Sequence, residues 1–231
     1  MNRLVTLFTA LWMTTSGAAL AEQTVVVELF TSQGCSSCPP ADKILGEIAK
    51  QDNVIALALH VDYWDYIGWK DQFAQPKFTN RQRDYARAAG ERTIYTPQMV
   101  IGGKDHVIGS RPMVIAKLLQ EHAARTPAVN VQLKRQGTTI TIEADANANL
   151  RRNAAVQLVT YQPNATVDIG RGENAGRRIT YHNIVQEWID IGSWNGSGTF
   201  SANAEVPMDV PFVVLVQSGT DGVMLGAAHL R

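Results

Sequence analysis

The sequence predicts an α/β domain followed by an all-β domain. In the first half, two apolar runs at residues 25–30 and 54–61 are separated by a segment with helical spacing of its apolar residues. Such runs, rich in β-branched residues, are typical of strands buried on both faces. From Val129 onward, apolar and polar residues alternate in short segments bounded by Gly, Asn, Asp and Pro. This alternation is typical of antiparallel sandwiches and barrels, so we predict domains at 24–124 and 128–231.

The first domain begins with a predicted strand, helix and strand. Between the two apolar runs, Ile44, Leu45 and Ile48 recur at helical spacing and predict a helix over residues 41–49. A connection of this length implies a parallel strand pair with a right-handed crossover. Both strands then end at the same edge of the sheet, where ligands usually bind in open α/β sheets.

Further elements complete this domain. A helix is predicted from about residue 78 to 89, and a second one to about residue 122 that opens at Ser110 and Pro112. Residues 98–101 and 105–108 flank a Gly-Gly pair, which predicts a hairpin because glycine adopts positive φ at turns.

Composition limits the function classes. The 231 residues include 21 basic and 21 acidic side chains, giving a formal net charge of zero. This balance gives no indication of a nucleic-acid partner. Asn2 and Arg3, a short apolar run and an A-x-A site ending at Ala21 predict an export signal over residues 1–21. We therefore expect a periplasmic or secreted protein without a membrane span in its mature chain, in a compartment where disulfides persist.

The two cysteines of the chain form a C-x-x-C motif directly after the first strand. The spacing of Cys35 and Cys38 allows their sulfurs to join in a small disulfide ring. Cys35 lies nearer the turn, which we expect to be exposed, and is the candidate nucleophile; Cys38 would resolve a mixed disulfide. Pro39 and Pro40 lack the N–H groups that a helix starting at Cys35 would need, so the regular helix is expected to begin at Pro39.

Three features in order give this chain a resemblance to thioredoxin. The C-x-x-C follows the first strand, Thr96-Pro97 stands where that fold carries a cis-proline, and Glu28 is near the place of its buried carboxylate. The whole chain, including Asp62-Tyr63-Trp64-Asp65 and the segment 171–177, also resembles an exported bacterial family catalogued as domain of unknown function 1223. The resemblance implies a thioredoxin-like α/β domain followed by a β-sandwich-like domain.

The resemblance also implies roles for individual residues. Glu28 would be a partly buried carboxylate that relays protons to Cys38, unless it is a strand-end glutamate that reaches water. Thr96 and Pro97 would present backbone groups to an extended substrate. Asp62 and Trp64 follow the second strand on the same rim, where they would either bind substrate or close the core.

Three functions remain open from the sequence. The first is thiol–disulfide exchange with a thiol- or disulfide-bearing protein or a small thiol, without an organic cofactor. The second is a binding module with a structural Cys35–Cys38 bridge, and the third is copper or zinc carriage. Tetrahedral zinc needs four ligands, and His60 is the histidine placed near the cysteines, so no metal site is predicted. The sequence also leaves open whether the loop at 173–178 docks the second domain against the cysteine rim.

Overall fold

The computed structural model describes residues 23–147, 149–150 and 152–230. Three α-helices and one short 3-10 helix, Asp65–Ile67, are described; the α-helices are α1 (Pro39–Ile48), α2 (Pro76–Ala88) and α3 (Pro112–Ala123). The strands are β1 (Val25–Thr31), β2 (Val54–His60), β3 (Gln98–Ile101), β4 (Asp105–Ile108), β5 (Val129–Gln136), β6 (Thr139–Ala146), β7 (Ala154–Asp168), β8 (Arg178–Trp194), β9 (Phe200–Glu205), β10 (Phe212–Ser218) and β11 (Met224–His229).

Strands from both halves of the chain form one eight-stranded mixed sheet. Its order is β11-β10-β7-β8-β2-β1-β3-β4, and β5, β6 and β9 form a second, three-stranded sheet. Strands β1 and β2 are parallel, with Val25 opposite Val54, whereas β3 runs antiparallel to β1. The two halves join where β8 pairs with β2, with Ala58 opposite Ile184.

The predicted fold class is wrong. The chain is mostly sheet, with 43% strand and 18% helix, and the predicted separate thioredoxin-like α/β unit and sandwich are replaced by a large sheet that both halves build. The reason is that β2 has an apolar, fully buried sequence and a free edge, whose polar backbone groups need partners. Strand β8 and the Asn183 side chain, which donates to the Ala56 carbonyl at 2.9 Å, satisfy this edge.

The local elements of the first half match the sequence predictions. The parallel β1–β2 pair and the β3–β4 hairpin are confirmed. Helix α1 begins at Pro39, as expected. Helix α3 has Arg111 rather than Ser110 at its N-cap, because Pro112 takes the first helical position. The boundaries at 24–124 and 128–231 stay predictions, and the export signal at 1–21 lies outside the described residues.

Strand β1 separates two different cores. Val25, Val27 and Leu29 pack with α1 and α3 on one face. Val26 and Phe30 face the other way, toward α2 and strands β8 and β10. The three-stranded sheet packs its apolar side chains on β7 and β10. Because successive side chains of a strand point to opposite faces, each residue of β1 is assigned to one of these two environments.

Candidate functional site

The cysteines form a disulfide in the connection from β1 to α1. Cys35 and Cys38 are joined, with their Cα atoms 5.4 Å apart. Cys38 is the N-cap residue of α1, and its carbonyl accepts hydrogen bonds from the backbone N–H groups of Ala41 at 2.8 Å and Asp42 at 3.1 Å. Cys35 therefore lies outside the helix, three residues before its cap.

The prediction that Cys35 is exposed is wrong. Cys35 and Cys38 are both 0% exposed, whereas Ser36 and Ser37 between them are exposed. The chain turns outward at the two serines and directs both sulfurs inward. An attacking thiolate has no access to the disulfide in this conformation, since exchange requires direct approach to a sulfur.

A loop from the second half of the chain packs against the cysteine loop, residues 32–38, which connects β1 to α1. We define the covering loop as residues 169–177, between β7 and β8. The Asn174 side chain donates from Nδ2 to the carbonyl oxygens of Gln33 and Cys35, both at 2.9 Å. The backbone N–H of Ser36 donates to Glu173 Oε2 at 3.3 Å. The question that the sequence left open is answered here: this segment docks against the cysteine loop.

Trp64 and Thr96, two of the predicted substrate-binding residues, lie beside the cysteine loop. The Trp64 indole N–H donates to Thr96 Oγ1 at 2.8 Å, and a methyl group placed on Gly34 would lie 3.1 Å from Trp64 Cβ. The Thr96–Pro97 peptide bond is cis. Asp62 points elsewhere, since its carboxylate accepts a hydrogen bond from Thr79 Oγ1 of α2 at 2.6 Å. The structure thus brings Trp64 and Thr96 together next to the cysteine loop and engages Asp62 with α2.

Glu28 has partners that do not suit the predicted proton relay. Its side chain is fully buried on the α2 face of β1, whereas α1 packs on the opposite face. Arg81 donates to both carboxylate oxygens, at 2.5 and 2.8 Å, and the Tyr85 hydroxyl donates to Oε1 at 2.6 Å. The sequence interpretation is corrected: Glu28 is the anion of a buried ion pair on the far side of the sheet.

A different buried acidic residue, Asp42, lies in the first turn of α1, directly after the cysteine motif. Asp42 follows Cys38 by four residues, so their side chains share one face of the start of α1. It is buried, and Thr31 Oγ1 donates to its Oδ1 at 2.8 Å. Next to it, His60 Nδ1 and Asp71 Oδ2 are 2.7 Å apart, with both side chains fully buried. We call Thr31, Asp42, His60 and Asp71 the buried acid cluster.

Burial dominates the electrostatics of Asp42. It raises the pKa of this carboxyl to about 7, against the lowering effects of His60 and of the Thr31 hydrogen bond. Asp42 Oδ2, His60 Nε2 and the nearby Gln33 Nε2 are buried and have no hydrogen-bond partner. Unpartnered polar atoms are costly in a protein interior, so their concentration beside one disulfide calls for an explanation.

Sequence reasoning missed Asp42 and Asp71. Asp42 carries a recognisable signal, because it precedes Leu45 by three residues and so shares the apolar face of α1. Asp71 carries none: it lies in an irregular segment and reaches the cluster through tertiary contacts, where its Oδ2 also accepts the Gln33 N–H at 2.8 Å.

The described residues contain neither a metal-ligand cluster nor a membrane-spanning helix. Within them, no group of three or more His, Cys, Asp or Glu side chains is arranged to hold a metal ion. His60 is occupied by Asp71, and His122 Nε2 is 2.7 Å from Asp105 Oδ2. Over the same part of the chain, no helix combines the length and the apolar character needed to cross a membrane.

Sequence comparison identifies the family. The model of a family described as proteins of unknown function, DUF1223, matches residues 26–217. The chain belongs to the DUF1223 family. This match confirms the family part of the sequence resemblance and carries no thioredoxin-like assignment. Among curated proteins, none matches this chain.

Solved structures show that the architecture recurs. A crystal structure of an Agrobacterium tumefaciens protein, a structural genomics target, is 33% identical, covers 92% of this chain and 96% of its own, and has a TM-score of 0.77. HBP35 of Porphyromonas gingivalis is 16% identical, covers 90% of this chain and 75% of its own, and has a TM-score of 0.64. The second likeness shows a shared fold alone. The similarity of this DUF1223 protein to the first structure extends through both halves of the sheet.

Proposed function

We propose that this DUF1223 protein is a thiol–disulfide oxidoreductase whose Cys35–Cys38 disulfide works together with Asp42. The observation that carries the proposal is geometric: a buried carboxylic acid with one unpartnered oxygen lies one helical turn after Cys38. A bridge with only a structural role has no use for such a group, which is costly to bury. A cysteine that must gain or lose a proton does have a use for it.

The chemistry can be written with all atoms balanced. A thiolate of the partner attacks Sγ of Cys35, the Cys35–Cys38 bond breaks, and Cys38 leaves as a thiolate that takes a proton from Asp42. A second partner thiolate then attacks the partner's sulfur in the mixed disulfide and releases Cys35. The partner loses two electrons and becomes a disulfide, while the two cysteines gain those electrons. The reverse sequence reduces a partner disulfide.

The pKa of Asp42 supports this role. A carboxyl with a pKa of about 7 is protonated for part of the time near neutral pH, so it is able both to donate and to accept a proton. The reaction class requires a partner with a thiol or disulfide, either a protein or a small thiol. The predicted export signal supports a periplasmic or secreted location, in which disulfides are stable.

The test combines trapping with a redox potential. Cys38→Ser should accumulate a mixed disulfide with a disulfide-bearing partner, because the Cys35 thiolate attacks the partner disulfide and no second cysteine of the chain releases it. Cys35→Ser is the matched control that should form no adduct. The wild-type potential, measured against glutathione, should lie above about −300 mV. A lower potential together with an absence of adducts on the folded Cys38→Ser protein would overturn the proposal.

A second candidate function has one observation in its favour. The complete burial of Cys35 suits a structural bridge that holds the β1–α1 connection while another surface binds a partner. Structural disulfides in secreted proteins have potentials below about −300 mV, so the same measurement separates the two functions.

A further inference from the structure

One buried polar side chain of the covering loop, that of Asn174, bonds to the cysteine loop. Residues 170–178 are exposed or half-buried except for Asn174, which is 1% exposed. Gly172 and Gly176 adopt positive φ values of 77° and 79°, and these allow the tight course that brings Asn174 inward. In the described part of this loop, the polar contacts with the cysteine loop come from Asn174 and Glu173.

We infer that Asn174 is a positioning residue that closes the covering loop over the disulfide, and that exchange at Cys35 requires its release. This inference rests on the proposed function. Asn174 Nδ2 shares its two protons between the carbonyls of Gln33 and Cys35, so both bonds break when the loop lifts. Arg177 donates to Asn174 Oδ1 at 3.2 Å and orients the amide so that Nδ2 faces those carbonyls.

The chemistry explains why such a closure is useful. In the closed state the disulfide has no exposed surface, so small thiols in the surroundings cannot reach it. A partner that displaces the covering loop gains access to Cys35. The loop therefore selects partners that bind to it, which are larger than a free thiol, and the substrate class narrows to proteins or peptides.

The experiment measures the rate at which a small phosphine reduces the disulfide of the full chain. Asn174→Ala should speed reduction about tenfold, because two hydrogen bonds that hold the closed state are lost. Asn174→Asp should act similarly, since it keeps the shape and loses the donor. Asn147→Ala is the matched control, because Asn147 Nδ2 also donates to a backbone carbonyl, that of Pro127 at 3.0 Å, far along the chain.

A second readout separates positioning from general destabilisation. A gate that closes over both redox states changes the reduction rate and not the equilibrium. The redox potential of Asn174→Ala should therefore lie within about 30 mV of the wild-type value, where 30 mV corresponds to a tenfold change in the equilibrium constant. Glu173→Gln weakens one exposed contact, at Ser36, without disturbing a buried group, and should give a smaller rate increase. Equal reduction rates in wild type, Asn174→Ala and Glu173→Gln would overturn the inference.

The two proposals fail separately. Faster reduction of Asn174→Ala, together with a wild-type potential below about −300 mV and no adducts on Cys38→Ser, would support the gate and overturn the oxidoreductase. A wild-type potential above that value, with equal reduction rates in wild type, Asn174→Ala and Glu173→Gln, would support the proposed oxidoreductase function and overturn the proposed role of Asn174.

Discussion

Two buried carboxyl groups lie on opposite faces of strand β1 and differ in how their oxygens are partnered. On the α2 face, Glu28 receives hydrogen bonds at both oxygens from Arg81 and Tyr85. On the α1 face, Asp42 receives one from Thr31, and its second oxygen has no partner. This difference indicates that Glu28 has a structural role, because Arg81 and Tyr85 occupy both of its oxygens. Asp42 retains one oxygen that is able to exchange a proton.

The surroundings of Glu28 reinforce this assignment. The Arg81 guanidinium lies 3.9 Å from the centre of the Trp188 ring and donates to Gln217 Oε1 at 3.0 Å. Trp188 and Gln217 come from β8 and β10, so the ion pair ties α2 and β1 to strands of the second half. The pair is thus part of the junction that makes one sheet from two segments.

The largest expected effect on stability comes from breaking the ion pair between Glu28 and Arg81. Arg81→Met leaves the Glu28 charge buried without its cation, and should lower the free energy of unfolding by about 3–5 kcal/mol, as measured by urea denaturation. Lys134→Met, which removes the exposed ion pair with Glu143, is the matched control and should change it by about 0.5 kcal/mol or less.

The double variant sharpens the same prediction. Glu28→Gln combined with Arg81→Met removes both charges and keeps an acceptor for Tyr85, so it should be more stable than Arg81→Met alone. A double variant that is less stable than Arg81→Met would contradict the assignment of Glu28 as a charged partner.

Replacing Asp42 is expected to have a smaller effect on the free energy of unfolding, and this effect depends on pH. Asp42 has a folded-state pKa of about 7 and an ordinary value of 3.8, so its stabilising contribution is complete below about pH 4 and is lost as pH rises to about 7. The loss amounts to at most about 1.4 kcal/mol per pH unit in that window. Asp42→Asn should remove this slope. Between pH 4 and pH 8, the free energy of unfolding should therefore fall less in Asp42→Asn than in wild type.

The measurement is the free energy of unfolding from pH 4 to pH 8 for wild type and variant. Asp145→Asn serves as the control, because Asp145 also accepts a threonine hydroxyl, from Thr199 at 2.6 Å, but at the surface. If the difference between wild type and Asp42→Asn is constant over this range, Asp42 does not titrate as described and its role in proton transfer is rejected.

The smallest effect concerns the one hydrogen bond that Asp42 receives from a side chain. Thr31→Val removes it, should destabilise the protein by about 1 kcal/mol, and should raise the pKa of Asp42 further, because this bond lowers it. Carbon-13 NMR titration of the carboxyl groups measures the shift. Thr139→Val, which removes an exposed hydroxyl bound to Glu205 Oε1 at 2.7 Å, is the control. A fall in the pKa of Asp42 would contradict the described geometry.

The local elements of the first half were predictable because their signals lie within a few residues of one another. The parallel strands, the Gly-Gly hairpin and the helix that starts at Pro39 follow from periodicity and from the properties of proline and glycine. Trp64 was predictable as a neighbour of the cysteine loop because the ends of parallel strands meet at one edge, whereas Thr96 was placed there by the resemblance to the thioredoxin fold.

The candidate site was predicted less well than the elements that carry it. Glu28 was assigned the proton-relay role that we propose for Asp42, because an acid inside an apolar strand is conspicuous and one at the start of a helix is not. The exposure of Cys35 was predicted wrongly, since nothing near the C-x-x-C motif indicates that residues more than a hundred positions later cover it.

The sequence by itself therefore determined the strands and helices of the first half, the spacing of the two cysteines and the family. Tertiary structure alone decided that β8 pairs with β2, that Asn174 donates to the Cys35 carbonyl and that Asp71 contacts His60. The physical reason is that secondary structure depends on short-range periodicity and turn chemistry. Strand order and burial depend instead on which distant backbone edges and polar groups satisfy one another.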